Sequence, residues 1–293
     1  MPTNNLFWSQ YQTLEKEFLK ATRFITFDDN NLEVYSEQFI DILMRTWVEI
    51  EAISKKLYFD NGGQPKVGDD LYFDTDCIKF LDDLWHVCNK ELHVDNINFY
   101  FTKQDVIVFK PLHKCDKRGT SGSKWKQAYQ AVKHDRMANY RKANLLNCLK
   151  SLGALYLLNV YLKDVELKNI TFSEKEKFDF HLGSEMFIAS TDEDLSTSPR
   201  IPKNESLMCI RINEEQRKRM NDSLNQVNEN TRKRVVDEIQ RIVNERGLEE
   251  DIQKQIDEVL KGIDTQSIRI QEIKRSNIGR EFNDLRIDIY LNK

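Results

Sequence analysis

The stretch ANLLNCLKSLGALYLLNVYL, residues 143–162, constrains the fold more than any other part of the chain. It is apolar on nearly every helical face, so a helix built from it must be surrounded by other elements rather than rest on one side of them. Its length approaches that of a bilayer-crossing segment, but Asn144, Asn147, Lys150, Ser151 and Asn159 interrupt it. The segment therefore predicts a central buried helix, and 293 residues suffice to surround it and to add a second unit.

Apolar periodicity supplies the surroundings. Residues 7–24 and 35–58 predict amphipathic helices; in the second, Phe39, Ile40, Leu43, Trp47, Ile50 and Leu57 recur at helical spacing, with Ser36 as N-cap. Residues 76–93 predict a third helix, in which His86 and His93 would share a face. The runs INFYF and VIVFK, closed by Pro111, predict a small β-hairpin near 97–109, and FDFHLGSEMFIAS predicts a strand pair turning at Gly183. TDEDLSTSPRIPKNES has linker composition. Beyond it LMCIRI predicts a strand, 214–246 and 249–262 two charged helices separated near Gly247, and SIRIQEI and LRIDIYL half-buried strands. The expected fold is mainly α: a helical bundle over 1–195 with a β-hairpin insertion, a linker at 196–205, and a small α+β domain over 206–293 carrying a charged helical hairpin. The hairpin's thin apolar stripe, Met220, Leu224, Val227 and Val235, either lies on its own unit or meets a protein partner.

A formal charge of −4 excludes a protein that coats nucleic acid by bulk attraction, so a nucleic-acid contact must be built locally. The start, MPTNNLFWSQYQTLEKEF, lacks a basic region followed by an apolar one, which predicts a cytoplasmic protein without a membrane part. Five scattered cysteines without a CxxC pair signal neither a disulfide framework nor a metal site, and no motif calls for a cofactor.

The local candidate is KWKQAYQAVKHDRMANYRKANLLNCL, residues 124–149. On a continuous helix Trp125, Tyr129, Arg136 and Tyr140 form one stripe and Gln127, His134 and Arg141 another, with Lys133 between them. A break near Asn139, a candidate N-cap, would change that geometry. Histidine titrates near physiological pH and can move a proton to or from a ribose hydroxyl, while Lys133, Arg136 and Arg141 could stabilise charge on a phosphate. Arg118, in the basic loop DKRGTSGSK, and Lys124, Trp125 and Lys126 are the expected nucleic-acid contacts. The plainer alternative makes Lys133 and Arg136 surface cations and His134 a residue bonded within the fold.

The combination of YSEQFIDILMRTWVEIEAISKKLY, WKQAYQAVKHDR and the apolar helix after them resembles bacterial HEPN proteins (higher eukaryotes and prokaryotes nucleotide-binding) over roughly residues 1–190. The resemblance implies a helical bundle and, in many members, a metal-independent RNA-cleaving toxin or antiphage effector, commonly with two sites paired across a homodimer. The family's catalytic pattern is an arginine, a polar residue and, a few positions on, a histidine. Its histidine falls on His134, its arginine near Tyr129 with Gln130 after it. The positive charge would then come from Lys133, Arg136 or Arg141, oriented by Glu51. RNA is the implied partner. A non-catalytic module that binds RNA or protein is the other reading, and a small-molecule pocket between the two units a third.

Overall fold

The structure is a computed structural model and describes residues 5–66, 70–246, 263–276 and 278–293. Its main helices are α1 Leu6–Lys20, α2 Glu37–Asp60, α3 Lys79–Trp85, α4 Lys124–His134, α5 Leu145–Lys163, α6 Glu214–Arg246 and α7 Thr265–Arg275. Helix accounts for 58% and strand for 13%, so the protein is mainly α. The strands are β1 Phe27–Asp28, β2 Leu92–Val94, β3 Phe99–Tyr100, β4 Val108–Phe109, β5 Glu166–Thr171, β6 Phe187–Ala189, β7 Thr191–Asp194, β8 Met208–Ile212 and β9 Arg286–Leu291.

The apolar run is α5, and it is the centre of the bundle. It packs against α1, α2 and α4, and residues 151–161 are buried without a break. By length and composition it could cross a membrane, but 78% of its apolar window is buried inside the protein, as in a core helix. Two of its polar side chains bond locally, Ser151 Oγ donating to Cys148 O (2.9 Å) and Asn159 Nδ2 to Leu155 O (3.0 Å), while the buried Asn159 Oδ1 has no partner among the described residues. Gly153 lets an aromatic ring approach the helix, since a Cβ there would stand 2.8 Å from the Phe109 ring. The helix starts at Asn144, whose side chain accepts from Asn147 N–H (3.0 Å), not at Asn139. The next two free N–H groups, of Leu145 and Leu146, donate to Val34 and Leu32 carbonyls, which pins the start against the segment before α2.

α2 follows the expected pattern, with Ser36 Oγ accepting from Phe39 N–H (3.1 Å). Four other expectations are corrected. The helix predicted over 76–93 is a π-helical turn, Phe73–Ile78, then α3, which ends at His86 in the left-handed region (φ 54°). His93 lies on β2 instead, so no helix face joins the two histidines. The predicted hairpin does not form. The Asp29 carboxylate holds Thr102 N–H (3.1 Å), Lys103 to Ile107 turn helically, and the two runs separate: β3 pairs in parallel with β1, while β4 pairs with β2. In 178–190 only β6 is a strand, on β2, because the carbonyls of His181 and Leu182 are taken by Tyr156 and Lys163, and just after the Gly183 turn (φ 89°) Ser184 Oγ and Glu185 N–H donate to Glu15 of α1. SIRIQEI is part of α7, where Asp264 caps Ser267 N–H (3.0 Å) and buried Glu272 receives Arg234 from α6 (2.9 Å); these local bonds override the β-branched composition.

The larger sheet has the order β5-β9-β8-β7, with β7 and β8 parallel and the other pairs antiparallel. It draws strands from both sides of residues 196–205. β9 alternates as expected, with Ile287, Ile289 and Leu291 buried in one continuous core with the bundle. On α6, Met220 and Val227 are buried and Leu224 and Val235 half-buried. The helix predicted over 249–262 lies outside the described residues.

Candidate functional site

The segment from Lys114 to Lys142 holds nine Lys and Arg against two Asp in a chain that is acidic overall. It is not one helix. α4 ends at His134, Asp135 is extended (φ −147°), and its carboxylate caps the short turn Arg136–Asn139 through Ala138 N–H (3.0 Å). A 3-10 turn, Tyr140–Lys142, then packs back on α4. The break undoes the stripe that would have placed His134 and Arg141 in line. His134 and Arg136 are exposed, and neither side chain hydrogen-bonds to any described residue. Arg141 is exposed too, its guanidinium 5.7 Å from the Tyr35 ring and 5.9 Å from that of Tyr140.

Other expected residues do converge. A cavity of about 390 Å³ opens between α2 and α4, with the π-helical turn and Gly119 at its sides. Its lining includes Glu51, Arg118, Lys126, Gln130 and Lys133, together with Trp47, Tyr72, Phe73 and Asp74. Trp47 and Glu51 are one turn apart on α2, and Gln130 and Lys133 one turn apart on α4, so each helix offers one face to the opening. Trp47 anchors the floor: it stacks on Tyr129 (3.9 Å, 7°) and meets Phe73 (4.7 Å) and Trp125 (6.0 Å) edge to face. Tyr129 is thus a core residue, its hydroxyl pushed up by burial and by the Glu51 charge.

Trp125 and Lys126, expected at a nucleic-acid surface, are buried. Trp125 Nε1 donates to Pro111 O (3.0 Å). Lys126 Nζ donates to Asp74 Oδ2 (2.8 Å), Cys115 O (3.1 Å) and Lys117 O, which uses all three of its protons. Arg118 Nε reaches Asp74 Oδ1 (3.2 Å) and its guanidinium lies 3.8 Å over the Tyr72 ring. Burial alone would raise the Asp74 carboxyl, but the bonds from Lys126, Thr75 N–H and Arg118 outweigh it and hold the group below its ordinary range. Lys124 is exposed at the start of α4.

Glu51 carries one i,i+4 ion pair, to Lys55 (2.9 Å), and keeps free acceptor capacity toward the cavity. Lys114, Lys117, Lys124, Lys133, Arg136, Arg141 and Lys142 are all exposed, and none has an ion-pair partner among the described residues. Sequence reasoning missed Tyr72, Phe73 and Asp74; the acid-aromatic run DLYFDTDC was the available signal. No family model matches the chain, and neither the curated proteins nor the solved structures include a match to it.

Proposed function

We propose that the protein is a HEPN-like, RNA-directed module that holds single-stranded RNA on the cationic face around α4. The observation that carries the reading is the set of exposed, unpaired cations over 114–142 in a chain of net charge −4. Seven exposed Lys and Arg without an ion-pair partner among the described residues fall in this one short segment against two Asp, and so dense a cationic run is suited to phosphates. Counterion release then sets the strength of binding, with a slope in log affinity against log salt of about −0.7 per phosphate contacted on a single strand. Titration of a labelled single-stranded RNA at 50 to 200 mM salt, both round numbers for the assay on the order of physiological strength, tests this. The wild-type protein should bind with a steep salt slope, and Lys124→Gln/Arg136→Gln/Arg141→Gln should bind more weakly with a shallower one. Equal affinity and slope in the two proteins would overturn it.

Cleavage by His134 is the second reading, favoured by its free, exposed imidazole beside Lys133, which lines the cavity. The mechanism would be attack of a ribose 2′-hydroxyl on its own phosphate, with His134 moving the proton and Arg136 or Arg141 on the phosphate. Tyr129, the residue nearest the family's arginine position, is stacked beneath Trp47 and supplies no charge. Binding without cleavage is accordingly the leading reading. RNA fragments formed by the wild type and absent with His134→Ala would reverse that order.

A further inference from the structure

We infer that the cavity between α2 and α4 reads one unpaired guanine in the bound strand. This rests on the RNA-binding reading and names what the cavity beside that surface accepts.

The volume, about 390 Å³, is at the small end of ligand cavities and suits one nucleoside rather than a stacked pair. The walls offer what a splayed-out base requires. The small exposed parts of Trp47 and Phe73, 5% and 6%, give an apolar floor, and the guanidinium of Arg118, 3.8 Å over the Tyr72 ring, gives a cationic side. Polar groups at the opening then decide which base fits. Asp74 is not among them, since both its oxygens already accept from Lys126, Arg118 and Thr75. The carboxylate with capacity left is Glu51, and across from it on α4 the Gln130 amide and Lys133 ammonium have no hydrogen-bond partner among the described residues.

A carboxylate accepts and cannot donate, so it selects two adjacent donors. Guanine presents them, with its ring N1–H beside its 2-amino group, and a carbonyl oxygen next to them for Gln130 or Lys133. Adenine and cytosine would turn a ring-nitrogen lone pair toward Glu51. Uracil has a single N–H between two carbonyl oxygens. Each of these leaves a polar group facing one of like kind, which costs the mismatched base its place.

The test is fluorescence anisotropy on short single-stranded oligouridines with guanosine, adenosine, cytidine or inosine at one central position, at fixed salt. The guanosine oligomer should bind about tenfold more tightly than the others, the scale of one bidentate base contact, with inosine between because it lacks the 2-amino group. Glu51 is half-buried with only an i,i+4 ion pair to Lys55, so the isosteric Glu51→Gln keeps the fold, checked by its melting temperature. It should abolish the preference, so that the guanosine and adenosine oligomers bind this variant with equal affinity. Equal affinity for all oligomers, or a guanosine preference that survives Glu51→Gln, overturns the guanine assignment and leaves RNA binding standing. Saturable binding of free guanosine monophosphate without any preference among oligomers also overturns it, since the cavity would then serve a free nucleotide. No binding to any oligomer overturns the RNA reading itself.

Discussion

Replacing Lys126 by Met should destabilise the protein strongly, although the residue sits in a basic segment where most cations are free. The Lys126 and Asp74 side chains are 6% and 9% exposed, and the ammonium places its three protons on Asp74, Cys115 O and Lys117 O. Methionine fills nearly the same volume, so packing changes little, but it leaves Asp74 with Arg118, which is half in solvent, and Thr75 N–H. Two carbonyls lose their donor as well. Removing one partner of a buried ion pair costs about 3–5 kcal/mol. Because Arg118 remains, the lower end applies, and at roughly 2–4 °C per kcal/mol the melting temperature should fall by about 6–12 °C. Asp74→Asn/Lys126→Met removes the stranded charge and should melt above Lys126→Met alone, a coupling that a double-mutant cycle reads directly. The pH dependence has a defined sign. Asp74 is held below its ordinary value of 3.8, so the pair's contribution is present above that pH and is lost as the pH falls through the lower folded value. The gap between wild type and variant should therefore close in acid. Calorimetry showing Lys126→Met within about 2 °C of wild type at pH 7, or the double variant no more stable than the single one, would refute the reasoning.

Glu15 gives the opposite pH response. Burial raises its carboxyl above 4.5 despite bonds from Tyr11, Ser184 and Glu185 N–H, so its contribution is greatest below 4.5 and is lost as the pH rises through the folded value. Melting curves at pH 4 to 7, an interval on the order of the usual carboxylate range and above, should show that decline in the wild type and not in Glu15→Gln. Gly153→Leu should cost about 1–3 kcal/mol in urea unfolding through overpacking against Phe109, more than the ~1 kcal/mol that helix propensity returns. Tyr129→Arg puts an arginine near the place the HEPN pattern would give it but breaks the Trp47 stack, worth about 0.5–1.5 kcal/mol. Its melting temperature should fall, and an RNA-cleavage assay should show no activity gained.

What was legible in the sequence follows the range of the interactions involved. α2 and α5 were readable because their apolar character is local, and for α2 the cap, Ser36, lies within one turn of Phe39, whereas the cap of α5 was placed at Asn139 and is Asn144. β8 and β9 were readable because each is short and rich in apolar residues; burial reproduces the alternation in β9, while β8 is buried at every position. The hairpin was misread because its pairing is decided far away, by Asp29 at Thr102 and by β1 and β2 as competing partners. α7 was misread for a related reason: Ile268, Ile270 and Ile273 favour a strand, while a cap from Asp264 and an ion pair from α6 favour a helix, and only the cap is visible locally.

The site shows the same division, and it changes which residues matter. Spacing identified α4 as the basic element, but it took Lys124 and Lys126 alike as nucleic-acid contacts and Lys133 as a cation for the phosphate. Only burial separates them: Lys126 is consumed by Asp74, fifty-two positions earlier, whereas Lys133 faces an open cavity and Lys124 the solvent. The single extended residue Asp135 then separates His134 from Arg141, which periodicity had aligned. A side chain's charge is thus available to a ligand only where the fold leaves it unpaired. By that criterion Lys124, Lys133, Arg136 and Arg141 keep their charge available and Lys126 does not, while Glu51, Gln130 and Lys133 bring free polar groups to one opening from two helices.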